Sequence, residues 1–238
     1  MSALAAARRA RQHGAPPLNA VNALNALDAR MTSDEALSSA LADDLDGAFE
    51  ELVCCWSQRL YAFALRMSGQ PRDAEELVEE TLAQAWRALG GYAPERRRAL
   101  RLRPWLFQIA ANLARNRARS ARRNPALSLD ALDTGAADDG RGVGVADRIA
   151  DDDPQGLPGV ALERRERLDE LAALLLTLPE AQRVVIILRH VEGMQYAAIA
   201  ETLGEPVGTV KSHASRGVAR LRKALEQERI AQAQEAVR

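Results

Sequence analysis

The sequence predicts an all-α protein built as two small helical domains joined by a flexible linker. Three observations lead there. Ala, Leu, Arg and Glu are abundant while aromatic residues make up only 4% of the chain, a composition that suits helices and not sheets. Apolar residues recur at steps of three and four in two separate stretches, the spacing of one helix face. A Gly-, Pro- and Asp-rich segment separates those stretches, and 238 residues fit two small domains.

Residues 1–43 are Ala-rich and polar, with Pro16, Pro17 and repeated Asn-Ala pairs, and are expected to form a disordered extension. Asp28, Asp34 and Glu35 argue against a transit peptide, and no continuous apolar stretch marks a secretory signal. The first domain is expected over residues 44–123. Phe49, Leu52, Val53, Trp56, Leu60, Phe63, Ala64 and Met67 repeat with helical period, and Gly69 is placed to end that helix. Pro71 opens a second, on which Ala74, Leu77, Val78, Thr81, Leu82, Ala85 and Leu89 repeat the period as far as Gly90-Gly91. A third begins near Pro104, carries Trp105, Leu106, Ile109 and Leu113, and runs into arginines. Three helices with short connections make a bundle.

Residues 124–160 contain six Gly, three Pro, eight Asp and no aromatic residue. Such a segment cannot offset the entropy of ordering and is expected to be a linker. As a flexible coil it spans about 30–35 Å, enough for the domains to sit apart. The second domain, 161–230, opens with a helix carrying Leu168, Leu171, Leu174, Leu175 and Leu178 and stopped by Pro179. A short apolar helix over 181–190 follows, then one over 196–203 closed by Gly204, then a long one from 207 to about 225, leaving 231–238 as a tail. Helix, glycine turn, helix is the helix-turn-helix signature, whose second member enters the DNA major groove.

Net charge is −1, from 32 basic and 33 acidic residues, yet the charges lie in blocks. Between Glu95 and Arg123 ten arginines stand against one acidic residue, and from Val207 to Arg229 six basic residues stand against two acidic ones. Asp73 to Glu80 is the opposite: Asp73, Glu75, Glu76, Glu79 and Glu80 with no base. A solvated face in an Arg-rich chain would explain one basic block. Two blocks, one on each predicted domain, favour an anionic partner such as DNA. For the acidic run the helix macrodipole alone accounts for part of the charge.

Several classes are excluded. Two adjacent cysteines, Cys54 and Cys55, build neither a disulfide framework nor a zinc site. They are expected to behave as small buried hydrophobes in a cytoplasmic protein. No apolar run reaches the ~18 residues of a membrane span. With three histidines, no phosphate-cradling glycine loop and no nucleophile elbow, the chain is not expected to be an enzyme. Neither cofactor, metal nor small-molecule substrate is implied.

DAEELVEETLAQAWRAL followed by RPWLFQIAANLARNRARSARR resembles the σ2 domain of a bacterial group IV, or extracytoplasmic function (ECF), σ70-type initiation factor. LPEAQRVVIILRHVEGMQYAAIAETLGEPVGTVKSHASRGVARLRKAL resembles the σ4 domain of the same family, and PVGTVKSHASRGVARLR matches its recognition helix. The resemblance implies a dissociable promoter-specificity subunit of RNA polymerase, with σ2 on the −10 element and σ4 on the −35 element. It assigns −35 recognition to Lys211, Ser212, Ser215 and Arg216, with Thr209 beside them and Arg220 on phosphate. Arg and Lys donate to guanine O6 and N7, and Ser bonds base edges or phosphate. It places the −10 contacts on Arg103, Asn112, Arg115, Asn116 and Arg119, where amides read an unstacked base and arginines hold phosphates.

Core polymerase binding is assigned by the resemblance to Asp73, Glu76, Glu79 and Glu80, facing basic side chains on the β' clamp helices. The β flap and a cognate anti-sigma factor are further implied partners, and no insertion into membrane is implied. The chain departs from the family pattern at Glu79-Glu80, where Gln-Glu is common, and at Leu82, where an aromatic is frequent. Its loop APERRRALRLRPW replaces a Ser-, Phe- and Gly-rich one. Ala197, Ala198, Ile199, Leu203, Val210 and Val218 are assigned to packing, and Trp105 to the core. The competing reading is a stand-alone helix-turn-helix regulator whose first bundle dimerises. That protein binds promoter DNA alone, whereas a sigma factor needs polymerase.

Overall fold

A computed structural model describes residues 34–123 and 170–235, and every regular element among them is helical. The first, α1, spans 34–43 and corrects the extension expected over 1–43. Leu37, Ser38, Leu41 and Ala42 are buried, and Ser38 donates its hydroxyl to the Leu100 carbonyl at 2.9 Å. Residues 1–33 lie outside the described residues, as does the linker over 124–160.

α2 (Leu45–Ser68) starts where Asp44 accepts the Gly47 N–H at 3.2 Å, satisfying one orphan donor of the first turn. It ends at Gly69, whose φ of 76° is left-handed, a conformation open to glycine at little cost. α3 (Pro71–Gly90) has proline at its first position and buries all seven residues expected of it. A five-residue helix not anticipated from the sequence, α4 (Pro94–Arg98), follows. α5 (Leu102–Arg123) begins two residues ahead of Pro104. Its Phe107 is fully buried, 5.2 Å from the Phe63 ring and 6.1 Å from Trp56, so aromatic packing joins α5 to α2 at the centre of the bundle.

In the second half residues 170–177 form α6, followed by α7 (Glu180–Ile186) and a π-helical turn, Ile187–Val191. α8 (Tyr196–Leu203) ends at Gly204, where φ is 64°. α9 (Val207–Glu235) is longer than expected, running through the tail drawn at 231. Val184, Val185, Ile187, Leu188, Ile199, Leu203, Val210 and Ala214 are buried together. Gly217 lets α9 lie close on α7, since a Cβ there would come 3.0 Å from Ile186 Cγ1.

The linker's length permits separation, but the two bundles are in contact. α8 packs across α5 and α7 meets α2 and α5. Arg183 of α7 donates to the Met67 carbonyl at the end of α2. No helix among the described residues is long and apolar enough to cross a membrane.

Candidate nucleic-acid interface

Val210 and Ala214, one turn apart, are buried against α7 and α8 and so fix the rotation of α9. Opposite them Lys211, Ser212, Ser215 and Arg216 are exposed and line one open depression. Arg216 donates Nε–H to the Ser212 carbonyl at 3.2 Å, a bond that does not use its terminal nitrogens, the donors that suit a fork-shaped acceptor. Thr209 is half-buried, and Arg220 lies exposed further along. Ile199, Leu203 and Val210 are buried as expected, with Ala198 and Val218 packed partly against the core. Ala197, also assigned to packing, is exposed, because it falls on the outer side of α8. His213 is partly buried, with Nε2 3.9 Å from Glu205.

The −10 set on α5 is less open. Asn112, Asn116 and Arg119 are exposed. Arg103 and Arg115 keep about a quarter of their side-chain surface, and each faces a carboxylate of the other bundle: Arg103 is 3.8 Å from Glu192 and Arg115 3.3 Å from Glu205. Arg115 also donates to Asn112 Oδ1 at 2.9 Å and to the Leu203 carbonyl at 3.3 Å.

Several other arginines of the basic block serve the fold. Arg97 donates to the Leu89 carbonyl at 2.9 Å and to that of Leu41 at 3.3 Å, adding a side-chain donor to carbonyls at the C-terminal ends of α3 and α1. Arg98 pairs with Asp43 at 2.5 Å, and Arg96 stacks 3.8 Å over the Tyr92 ring. Trp105 is half-buried, 6.3 Å from Tyr92, and closes the arginine-rich loop against α5.

Asp73, Glu76, Glu79 and Glu80 lie exposed along α3. Residue 117, which the sequence reading left without a role, reaches them: Arg117 lies 2.9 Å from Glu80 and 3.7 Å from Glu76, and donates to the Asp73 carbonyl at 3.3 Å. Charge alone offered no signal for this, since Arg117 is one arginine among ten. Cys54 and Cys55 are both exposed, contrary to the burial expected of them, because they fall on the side of α2 turned from Trp56 and Phe63. Local desolvation, then the neighbouring Glu51, Cys54 and Asp34, push the Cys55 thiol above its ordinary value, which disfavours the reactive thiolate.

Residues 52–124 match the family described as Sigma-70 region 2, and residues 168–221 the one described as Sigma-70, region 4. The ECF RNA polymerase sigma factor SigW of Bacillus subtilis is 30% identical over 178 residues, covering 75% of this chain and 89% of SigW. The chain belongs to the ECF group of the σ70 family. SigE of Mycolicibacterium smegmatis, another ECF RNA polymerase sigma factor, is 30% identical over 195 residues, covering 80% of this chain and 68% of SigE. In fold, the ECF factor is similar to CnrH as solved in complex with the cytosolic domain of CnrY, with a TM-score of 0.54 at 23% identity, covering 82% of this chain and 97% of that one. Both σ regions are present in the family's order, which does not favour a stand-alone regulator.

Proposed function

We propose that this ECF sigma factor brings core RNA polymerase to its promoters by reading −35 duplex with the exposed face of α9 and −10 single strand with α5. The observation that carries the reading is the α9 face itself. Lys211, Ser212, Ser215 and Arg216 share one open surface that buried Val210 and Ala214 hold rigidly, as groove readout requires. Arg220, one turn on, supplies phosphate contact. On α5, Asn112 and Asn116 offer amide donors and acceptors to an unstacked base, with Arg103, Arg115 and Arg119 on the backbone. The exposed carboxylates of α3 dock on basic side chains of the β' clamp helices, and the second bundle meets the β flap. The chain performs no catalysis of its own and works in the cytoplasm, where a cognate anti-sigma factor holds it in reserve.

Transcription by core polymerase from a library of random upstream sequences tests this. RNAs are expected to start at a fixed distance from a common −35 and −10 pair when the protein is added. If no defined upstream sequence supports initiation, the reading is wrong.

A further inference from the structure

The arginines of the first basic block differ in what holds them. Arg97 is fixed by the Leu89 and Leu41 carbonyls, Arg98 by Asp43, and Arg101, Arg103, Arg115 and Arg117 face carboxylates of other helices. Arg96 is held by a ring instead. Its guanidinium carbon sits 3.8 Å over the centre of Tyr92, and among the described residues it has no carboxylate partner. An edge-on guanidinium would keep its carbon further from the ring, so the two planes lie face to face. Such a contact fixes the plane and leaves both the charge and the N–H donors unused. Arg96 is exposed, so the outer face of that plane is open to solvent.

The support under Arg96 is built into the fold. Tyr92 is half-buried, its N–H bonds the Leu89 carbonyl at 3.1 Å, and its ring stands 6.3 Å from that of Trp105. The segment carrying α4 is pinned from α1, by Ser38 on the Leu100 carbonyl and by Arg97 on that of Leu41. The same segment is poor in groups that read a base edge. Residues 92–105 contain no Asn, Gln, Ser or Thr, and the N–H groups of Arg96, Arg97, Ala99 and Leu100 are all bonded to carbonyls within the loop.

The contact with Trp105 puts this stack at the start of α5, where a strand following that helix past Arg103 would leave it. Asn112 and Asn116 meet a base by its edge. A guanidinium plane meets it by its face, and stacking is tolerant of sequence because every base has a π-face. We propose that Arg96, held flat on Tyr92, is a stacking platform for one unpaired base of the −10 strand beyond the Arg103 end of α5. The platform takes that base whatever its identity, so at this position the chain gains affinity without discrimination. It rests on the promoter assignment above.

Holoenzyme assembled from core polymerase and the full chain tests this on fork templates of the selected promoter, in which each −10 base in turn is replaced by an abasic site. With the parent chain, one abasic position is expected to weaken binding about tenfold, while exchanging that base for any other natural base costs about twofold or less. Arg96→Ala is expected to weaken binding of the intact template about tenfold and to be indifferent to the same abasic site. Arg96→Lys keeps the charge without the plane, and Tyr92→Leu keeps the arginine without its support. Both are expected to retain the parent's salt dependence and to lose the abasic penalty. If no abasic penalty disappears in Arg96→Ala, the platform does not exist. If Arg96→Lys responds as the parent does, Arg96 is only a charge near phosphate. A natural-base exchange as costly as the abasic site means that the base is read by its edge. Failure of the promoter reading looks different: selection then yields no promoter at all, whereas each of the preceding outcomes overturns the platform on a promoter that works.

Discussion

α5 and α9 are both long, arginine-rich helices proposed to meet DNA, yet they spend their charge in opposite ways. On α4 and α5, Arg97 donates to carbonyls, Arg98 holds Asp43, Arg103 and Arg115 pair with Glu192 and Glu205, and Arg117 bridges Glu76 and Glu80. On α9, Lys211, Arg216, Arg220, Arg222 and Lys223 point to solvent. A block of arginines is thus no direct measure of attraction for phosphate. What counts is how many guanidinium groups the fold leaves unspent, and here the smaller block presents the more open surface.

The contrast breaks most sharply where each helix is anchored. Phe107 is fully buried between Phe63 and Trp56, so Phe107→Ala is expected to destabilise the chain by ~3–5 kcal/mol, seen as a lower urea midpoint. Substitutions on the exposed α9 face are expected to stay within about 0.5 kcal/mol. A comparable loss from both helices would mean that α9 is held by the contacts assigned to DNA.

Function should invert that ranking. Lys211→Ala and Arg216→Ala are each expected to reduce discrimination among −35 sequences by ~1–3 kcal/mol per lost base contact, measured by competition between holoenzyme complexes on variant duplexes. If both weaken binding equally on every sequence, these side chains hold phosphate and the reading face lies elsewhere on α9.

Much of this architecture was legible because it is local. The buried stripe of α3 follows from a period of three to four residues, and the rotation of α9 from Val210 opposite Ser212 and Ser215. α1 escaped because its apolar signal is little more than Leu37 and Leu41, a single turn apart, and its burial depends on Ser38 meeting Leu100, 62 residues away. The partners of the arginines escaped for the same reason. Arg59 and Glu192 are 133 residues apart, and nothing near either one announces the other. Charge patterning along the chain marked cationic and anionic stretches but could not count what remained after they had neutralised each other. The exposure of Cys54 and Cys55 shows a further limit: residue type gives an average tendency, while position on the α2 face decides the individual case.

The smallest expected effect is the most discriminating one, because it separates two uses of the same carboxylates. Arg117 and Glu80 keep more than a third of their surface, so the pair contributes only ~0.2–1 kcal/mol to stability. Arg117→Ala should barely shift the unfolding midpoint. If Glu76 and Glu80 dock on cationic polymerase side chains, however, Arg117 competes with those side chains, and its removal should tighten core polymerase binding. Charge reversal at Glu79 and Glu80 should do the opposite and weaken capture without changing helix content. A purely structural role for Arg117 gives another pattern, in which R117A loosens α5 against α3 and weakens binding as charge reversal does. Fluorescence titration of the full chain with core polymerase, run on both variants, separates the two: opposite signs support a docking surface shared between Arg117 and the polymerase, and equal signs assign the acidic ridge to holding α5 in place.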